Sequence, residues 1–156
     1  MNRPRSRKAP GAKAAPTDSG YRLEAQIGFI LRRAHQRHVA IFTRCMGDLK
    51  LTPMQFSALV TIATAGPISQ NRLGRLTAMD PANILGVVQR LAKRGLVARG
   101  RDLRDSRSAR LSLTPAGRKL VEEAIPRARA ATDATLEPVA PRFRPGLLRL
   151  LGKIAE

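Results

Sequence analysis

Apolar residues recur at helical spacing along the first third of the chain. Between residues 21 and 49 they stand three, four or seven positions apart, at Leu23, Ile27, Ile30, Leu31, Ala34, Ile41, Cys45 and Leu49. With about 3.6 residues per turn, these positions share one face of an α-helix. The pattern therefore predicts one long amphipathic helix over residues 21–49.

Three later segments contain a Thr or Asp directly followed by proline: LTPMQ at 51–55, MDPAN at 79–83 and LTPAG at 113–117. The Thr or Asp side chain accepts from a free N–H at a helix start, and proline loses no hydrogen bond at the first helical position. Ser69 supplies a fourth start after the Gly66-Pro67 breaker. We expect helices at about 52–65, 69–77 and 81–94, a long one from 115 to about 136 that Pro126 bends, and a narrow apolar stripe in GLLRLLGKIAE at 146–156.

A different pattern lies between residues 97 and 113. ARLSL alternates, with Ala109, Leu111 and Leu113 on one face and Arg110 and Ser112 on the other, as in a half-buried strand. RDLRDSRSAR at 101–110 instead places an arginine at every third position, which suits neither a helix nor a strand. We predict two short strands joined by a basic loop.

The charge balance makes a polyanion the expected partner. The 156 residues include 29 Lys plus Arg against 11 Asp plus Glu, a net charge of +18. Such a field attracts nucleic acid first, and anionic membranes or phosphorylated ligands second. With 3% aromatic residues the chain is poorly supplied for stacking on single-stranded RNA, so duplex DNA is favoured.

Location and domain number follow from simpler features. No apolar run approaches the roughly 18 residues of a membrane-spanning helix, the N-terminus lacks the apolar segment of a leader, and the single cysteine fits a reducing compartment. We expect a cytoplasmic protein with no membrane partner. Residues 1–18 are basic, proline-rich and free of acid until Asp18, which predicts a disordered tail, and the rest is long enough for one domain, 19–156.

Three short helices followed by a hairpin are the parts of a winged helix-turn-helix, so the predicted fold class is mainly α. The helix at 81–94 would enter the major groove. Its inner face is Ile84, Val87, Val88 and Leu91, expected to pack on Leu59, Ile62, Leu73 and Leu76. The candidate DNA-binding residues are Ser69, Gln70, Pro81, Ala82, Asn83, Gly86, Gln89, Arg90 and Lys93. Amide side chains can pair with adenine, Ala82 can touch a thymine methyl group, and the two cations suit phosphate.

These segments resemble the MarR family of bacterial transcriptional regulators over residues 51–120. Four features of the family occur here in the same order and spacing: the leucine spacing, the KRGLV turn at 93–97, the wing DLRDSR at 102–107 and the LTPAG helix start at 113–117. The resemblance implies a DNA-binding lobe at 51–120 and dimerisation helices at 19–50 and 121–156. It also implies that Arg107 enters a narrow minor groove, that Asp105 orients Arg107, and that Arg104 contacts phosphate.

One departure from the family concerns the reading helix. The family often has a polar or basic residue where this chain has Leu85 and Gly86. Fewer side chains are then available for base contacts, so Asn83 gains importance.

A second basic cluster, LRRAHQRH at 31–38, is not explained by DNA binding. Its arginine stems can cover apolar surface at a dimer seam. Alternatively, the resemblance implies an anionic effector, because small aromatic acids bind family members between the first helix, the helix at Pro53 and the long final helix. Some relatives respond to a coenzyme A thioester, whose phosphates need several cations. The candidate ligand-binding residues are Arg32, Arg33, Arg37 and His38.

The sequence thus predicts a homodimeric repressor that binds a palindromic operator in double-stranded DNA and is released by an anionic aromatic ligand or its coenzyme A thioester, in control of aromatic-compound catabolism. A nonspecific nucleic-acid-coating protein and a thiol switch at Cys45 remain alternatives. The plausible added metal ligands for His35 and His38 are Glu24, Asp48, Glu122 and Glu123, and nothing in the sequence places them together. No nucleophile, base and orienting group can be assembled either. We therefore predict no metal, no cofactor and no catalysis.

Overall fold

The computed structural model describes residues 20–101 and 109–156. Its helices are α1 (Ile27–Met46), α2 (Pro53–Ala65), α3 (Gln70–Leu76), α4 (Pro81–Lys93), α5 (Pro115–Leu136) and α6 (Arg144–Ala155), with single 3-10 turns at Leu23–Ala25, Gly47–Leu49 and Pro141–Phe143. Its strands are β1 (Ile68–Ser69), β2 (Val97–Arg101) and β3 (Ala109–Leu113). This order is a winged helix-turn-helix of predominantly helical class, as predicted. The chain divides into two compact units at the junction of Arg33 and Ala34, within the sequence of α1.

The helix starts form as the cap signals predict. At α2 the Gln55 N–H donates to Thr52 Oγ1 (3.2 Å) and the Thr52 N–H donates back to Gln55 Oε1 (3.1 Å), a reciprocal capping box. At α3, α4 and α5 the cap is one-sided: the side chains of Ser69, Asp80 and Thr114 each accept from the backbone N–H three residues on. Each cap satisfies a backbone donor that has no partner within its helix, which fixes where the helix begins.

The inner face of α4 lies in the core of the lobe. Ile84, Val87, Val88 and Leu91 are buried, together with Leu59, Ile62 and Leu73. The predicted contribution of Leu76 is wrong, because this side chain is 56% exposed. The buried face of α3 is centred between Leu73 and Gly74, and at about 100° per residue Leu76 points away from that centre.

The first helix is shorter than predicted. It ends at Met46, and Gly47 and Lys50 both have a φ of 48°, in the left-handed region. A left-handed residue cannot continue an α-helix, so the chain turns before α2. By contrast, α5 continues through Pro126 as one 22-residue helix.

The sheet contains a strand that the sequence pattern did not reveal. β1 has two residues and pairs antiparallel with β3, which places Ile68 opposite Leu111 and Ser69 opposite Arg110. β2 pairs with the other edge of β3, giving the order β1-β3-β2. The sheet thereby ties the start of α3 to the wing. Among the described helices, none has the length and apolar content needed to cross a bilayer.

Candidate nucleic-acid interface

The outward face of α4 is polar and cationic. Pro81, Ala82, Asn83, Gln89, Arg90 and Lys93 are exposed, as the sequence predicts, and Gly86 is half-buried. The buried apolar face anchors α4 in the core, and the opposite face stays exposed to solvent. This is the arrangement required of a helix that enters a groove of DNA.

Asn83 is oriented by the residue that caps its helix. The Asp80 carboxylate accepts from the backbone N–H of Asn83 (2.8 Å) through Oδ1, and from the Asn83 side-chain amide through Oδ2. The bond from the Asn83 backbone, followed by the one from its side chain, lowers the pKa of Asp80 below its ordinary value, although partial desolvation opposes the shift. The Asn83 amide keeps its carbonyl oxygen and one N–H, which are the two groups that a bidentate contact with adenine uses.

Gly86 makes room for Arg90. A Cβ atom at Gly86 would lie 3.2 Å from Arg90 Nη1 and 3.5 Å from Nη2. The Arg90 guanidinium therefore folds back over Gly86, toward the N-terminal half of α4. The family often has a polar or basic side chain at this position. Here the glycine leaves that space to the guanidinium of Arg90, one turn further along the helix.

The start of α3 lies beside the sheet. Ser69 Oγ accepts from the Arg72 backbone N–H (3.3 Å), and both Ser69 and Gln70 are half-buried. Arg72 and Arg75 are exposed on α3. These two arginines are not among the DNA-binding residues predicted from the sequence, although their position beside the buried Leu73 is the signal that would have identified them.

β2 and β3 lie on either side of residues 102–108, which include most of the predicted basic loop. Arg99 on β2 is exposed, and Arg110 Nη1 on β3 reaches the Pro67 carbonyl at 3.5 Å. Arg104, Asp105 and Arg107 lie outside the described residues. Residues 51–120 carry 12 Lys plus Arg and 3 Asp, a net of +9, which is half of the total of +18. The other half lies in the remaining 86 residues, so the positive field extends over the whole sequence and includes the lobe that would bind a polyanion.

Two of the four candidate effector residues contact the end of α5. Arg37 donates to the carbonyl oxygens of Thr135 (2.8 Å) and Ala134 (3.5 Å), and His38 Nδ1 lies 2.9 Å from Thr135 Oγ1. Burial, and next the charge of His35, lower the pKa of His38 below its ordinary value, so the neutral imidazole is favoured. These two side chains already have protein partners.

The other two candidates, Arg32 and Arg33, belong to the N-terminal unit. Their guanidinium carbons lie 5.3 Å and 5.8 Å from the centre of the Phe29 ring. At these distances an arginine is attracted to the face of an aromatic ring. Cys45, the candidate thiol switch, is half-buried and packs against the hydrophobic core.

Comparisons with known proteins agree with this geometry. Residues 49–108 match the model of the MarR family. The HTH-type transcriptional repressor NicR of Pseudomonas putida is 36% identical over 151 residues, 97% of this chain and 96% of NicR. A probable transcriptional regulator from Pseudomonas aeruginosa has a crystal structure with a TM-score of 0.82 and 47% identity, covering 85% of this chain and 99% of that one.

A third relative is BpsR of Bordetella bronchiseptica, whose structure was studied for the regulation of its DNA binding by 6-hydroxynicotinic acid. It has a TM-score of 0.82 and 40% identity, and the match covers 87% of this chain and 97% of BpsR. With the lobe, its reading helix and these relatives in agreement, this chain belongs to the MarR family and is a transcriptional regulator with a winged helix-turn-helix fold, not an enzyme.

Proposed function

We propose that this regulator is a homodimeric repressor that binds a palindromic operator in duplex DNA and leaves it when a small anionic aromatic ligand binds. The observation that carries the proposal is α4, whose apolar face is buried while its polar and cationic face is open. The similarity to NicR, a transcriptional repressor matched over nearly its whole length, supports repression. A site of action on DNA places the protein in the cytoplasm.

DNA recognition in this proposal divides between α4 and the wing. Asn83 reads a base edge, because Asp80 fixes its amide, and Arg90 and Lys93 contact phosphate. Ser69 and Gln70 approach the backbone at the start of α3. Arg107 enters the minor groove from the wing loop, with Asp105 orienting it and Arg104 on phosphate.

Dimerisation is supported by apolar surface at the C-terminal end of the chain. The side chains of Leu148, Leu150 and Ile154 on α6 are at least half exposed. Apolar area of this kind is covered by a partner in an oligomer. A second copy would also supply a second α4, and two such helices reach successive major grooves when they stand about 34 Å apart.

The effector is proposed from the relatives and from the basic cluster of α1. Regulation of BpsR DNA binding by 6-hydroxynicotinic acid supports a hydroxylated pyridine or benzene carboxylate as the first choice, and with it a role in aromatic-compound catabolism. Arg37 and His38 would meet the ligand beside the end of α5, and Arg32 and Arg33 are candidates in the N-terminal unit. A ligand of this kind releases DNA if it binds better to a dimer whose lobes no longer match the two half-sites.

Selection of bound duplexes from a random DNA pool tests the proposal first. A palindrome with half-sites one helical turn apart should be enriched, and Arg107→Ala should bind it about 1–3 kcal/mol more weakly with an unchanged melting temperature. If instead no sequence is enriched over bulk DNA at physiological salt, the protein coats nucleic acid without specificity.

Effector screening follows on the selected operator. Thermal shift with 6-hydroxynicotinic acid, hydroxybenzoates and their coenzyme A thioesters identifies ligands of the folded protein, because a ligand of the native state raises its apparent stability. A ligand that stabilises the wild type should also release the operator, and Arg37→Gln should need more of it. Release by peroxide that disappears in Cys45→Ser would replace this effector with a thiol switch.

A further inference from the structure

A cavity at the C-terminal end of α4 is lined almost entirely by cations. Its volume is about 460 Å³, and the residues lining it are Lys50, Gln55, Arg90, Lys93 and Arg94. Four of the five are positively charged, and none of these lining residues is acidic. Within the described part of the chain, none of the four cations forms an ion pair with a carboxylate.

Two of these residues are held in place by the backbone. The Arg94 guanidinium donates to the carbonyl oxygens of Leu49 (2.8 Å) and Lys50 (3.0 Å). Lys50 adopts the left-handed conformation at the turn between α1 and α2. Because carbonyl oxygens and not carboxylates anchor Arg94, its position is fixed while its charge remains uncompensated.

Gln55 provides a neutral donor in the same cavity. The residue is only 6% exposed, and its Oε1 is used by the capping box with Thr52. Its side-chain nitrogen has no hydrogen-bond partner in the part of the chain that the structure describes. No fully buried side-chain nitrogen or oxygen of the described residues lacks a partner, so this nitrogen keeps some accessible surface, and Gln55 lines the cavity.

The end of a helix is ordinarily a poor place for an anion. The C-terminus of α4 carries a partial negative charge of about half an elementary charge. The Arg90 guanidinium folds back over Gly86, but the charges of Lys50, Lys93 and Arg94 at the cavity still exceed this by far. The site is also separate from the base-reading end of α4, since the 13-residue helix places Lys93 about 18 Å from Pro81.

We propose that this cavity is a phosphate-binding site, with Lys50, Lys93 and Arg94 as charged contacts and Gln55 as a neutral donor. The phosphate has two possible sources, the backbone of bound DNA or a phosphorylated small molecule. In either case the bound anion connects the recognition helix to the turn that joins α1 and α2.

Calorimetric titration with tripolyphosphate, at about 150 mM salt and without DNA, tests the site. The cavity variant is Lys50→Asn with Lys93→Gln, because asparagine tolerates the left-handed conformation and glutamine suits an exposed helix position. The matched control, Lys119→Gln with Lys153→Gln, removes the same charge from exposed lysines elsewhere. We expect saturable one-to-one binding by the wild type and the control, and at least tenfold weaker binding by the cavity variant.

Equal binding by all three proteins, or an equal loss in the control, would mean attraction by the net charge alone and would overturn the site. If the double cavity variant does not fold, Lys93→Gln alone should still weaken binding about threefold, and its failure to do so also overturns the site. The titration contains no DNA, so its outcome is independent of the proposed repressor function.

The salt dependence of binding to duplex DNA then identifies the source. Each lost phosphate contact lowers the slope of log K against log salt by about 0.9. A slope reduced by about 2 in the cavity variant, beyond any reduction in the control, assigns the site to the DNA backbone. A slope reduced by no more than about 0.9, the single contact already proposed for Lys93, with tripolyphosphate binding lost only in the cavity variant, assigns it to a phosphorylated small molecule.

Discussion

Helices α4 and α6 are nearly equal in length and differ completely in what they bury. The 13 residues of α4 include four buried apolar side chains, Ile84, Val87, Val88 and Leu91. None of the 12 residues of α6, all of them described, is buried. Leu148, Leu150 and Ile154 on α6 are 50%, 58% and 60% exposed.

The difference shows which apolar helix face is packed within one chain and which stays exposed. The apolar face of α4 finds its partners on α2 and α3, elements that follow one another closely in sequence. The exposed apolar side chains of α6, Leu148, Leu150 and Ile154, lie outside the hydrophobic core that the described residues form. An amphipathic helix draws most of its stability from packing of its apolar face, so α6 is the element that a second copy would stabilise.

The largest expected effect comes from truncating the buried face of α4. Leu91 is fully buried, and Leu91→Ala should lower the free energy of unfolding by about 2–5 kcal/mol through lost apolar contact and the cavity left behind. Urea denaturation measures this. Leu150→Ala on α6 is the matched change, and it should cost less than about 1 kcal/mol at concentrations where the protein is monomeric. Equal losses at the two positions would show that α6 is covered within one chain.

The next prediction concerns assembly. The double change Leu150→Asp and Ile154→Asp places two carboxylates on the exposed apolar face of α6, where a partner would have to bury them unpaired. We expect a shift from dimer to monomer in analytical ultracentrifugation and at least a hundredfold loss of operator affinity, about 3 kcal/mol. Far-ultraviolet circular dichroism should retain a folded lobe. A variant that remains dimeric removes α6 from the interface.

Much of the α4 side of the comparison could be predicted from the sequence. The Asp80-Pro81 signal and the spacing of Ile84, Val87, Val88 and Leu91 are local, so they fixed the start of the helix and its buried face. The exposure of Leu76 was missed, because spacing alone does not show which of two apolar positions on a seven-residue helix faces the core.

What depends on distant pairing could not be predicted. β1 is two residues long and exists through its pairing with Leu111 and Arg110, more than 40 positions away. The cationic cavity likewise joins Lys50 to Arg94 through hydrogen bonds across 44 and 45 positions. The roles assigned to Arg104, Asp105 and Arg107 remain predictions.

Two glycines, one in a packed region and one on exposed α6, test the same difference in packing with a smaller expected effect. A Cβ at Gly117, at the start of α5, would lie 2.1 Å from the Leu96 carbonyl oxygen, so the backbone must move in Gly117→Ala. We expect a loss of about 1–3 kcal/mol in thermal or urea unfolding. A Cβ at Gly152 on α6 meets nothing within 4 Å, and Gly152→Ala should instead stabilise the monomer by up to about 1 kcal/mol. Similar effects of both changes would contradict the open environment of α6.

The smallest effect is expected on the outward face of α4, where Gly86 makes room for Arg90. In Gly86→Ala the new Cβ would press on the far end of a flexible side chain, at 3.2 Å from Nη1, so the arginine can move at little cost. Alanine is favoured over glycine inside a helix by about 1 kcal/mol, so the variant should unfold at a higher denaturant concentration than the wild type.

The operator affinity of Gly86→Ala should nevertheless fall, by about threefold, because the Arg90 guanidinium no longer lies over the N-terminal half of the helix. Fluorescence anisotropy with a labelled operator measures this change. A Gly86→Ala protein that gains stability and binds the operator as well as the wild type would show that the position of Arg90 over Gly86 has no part in recognition.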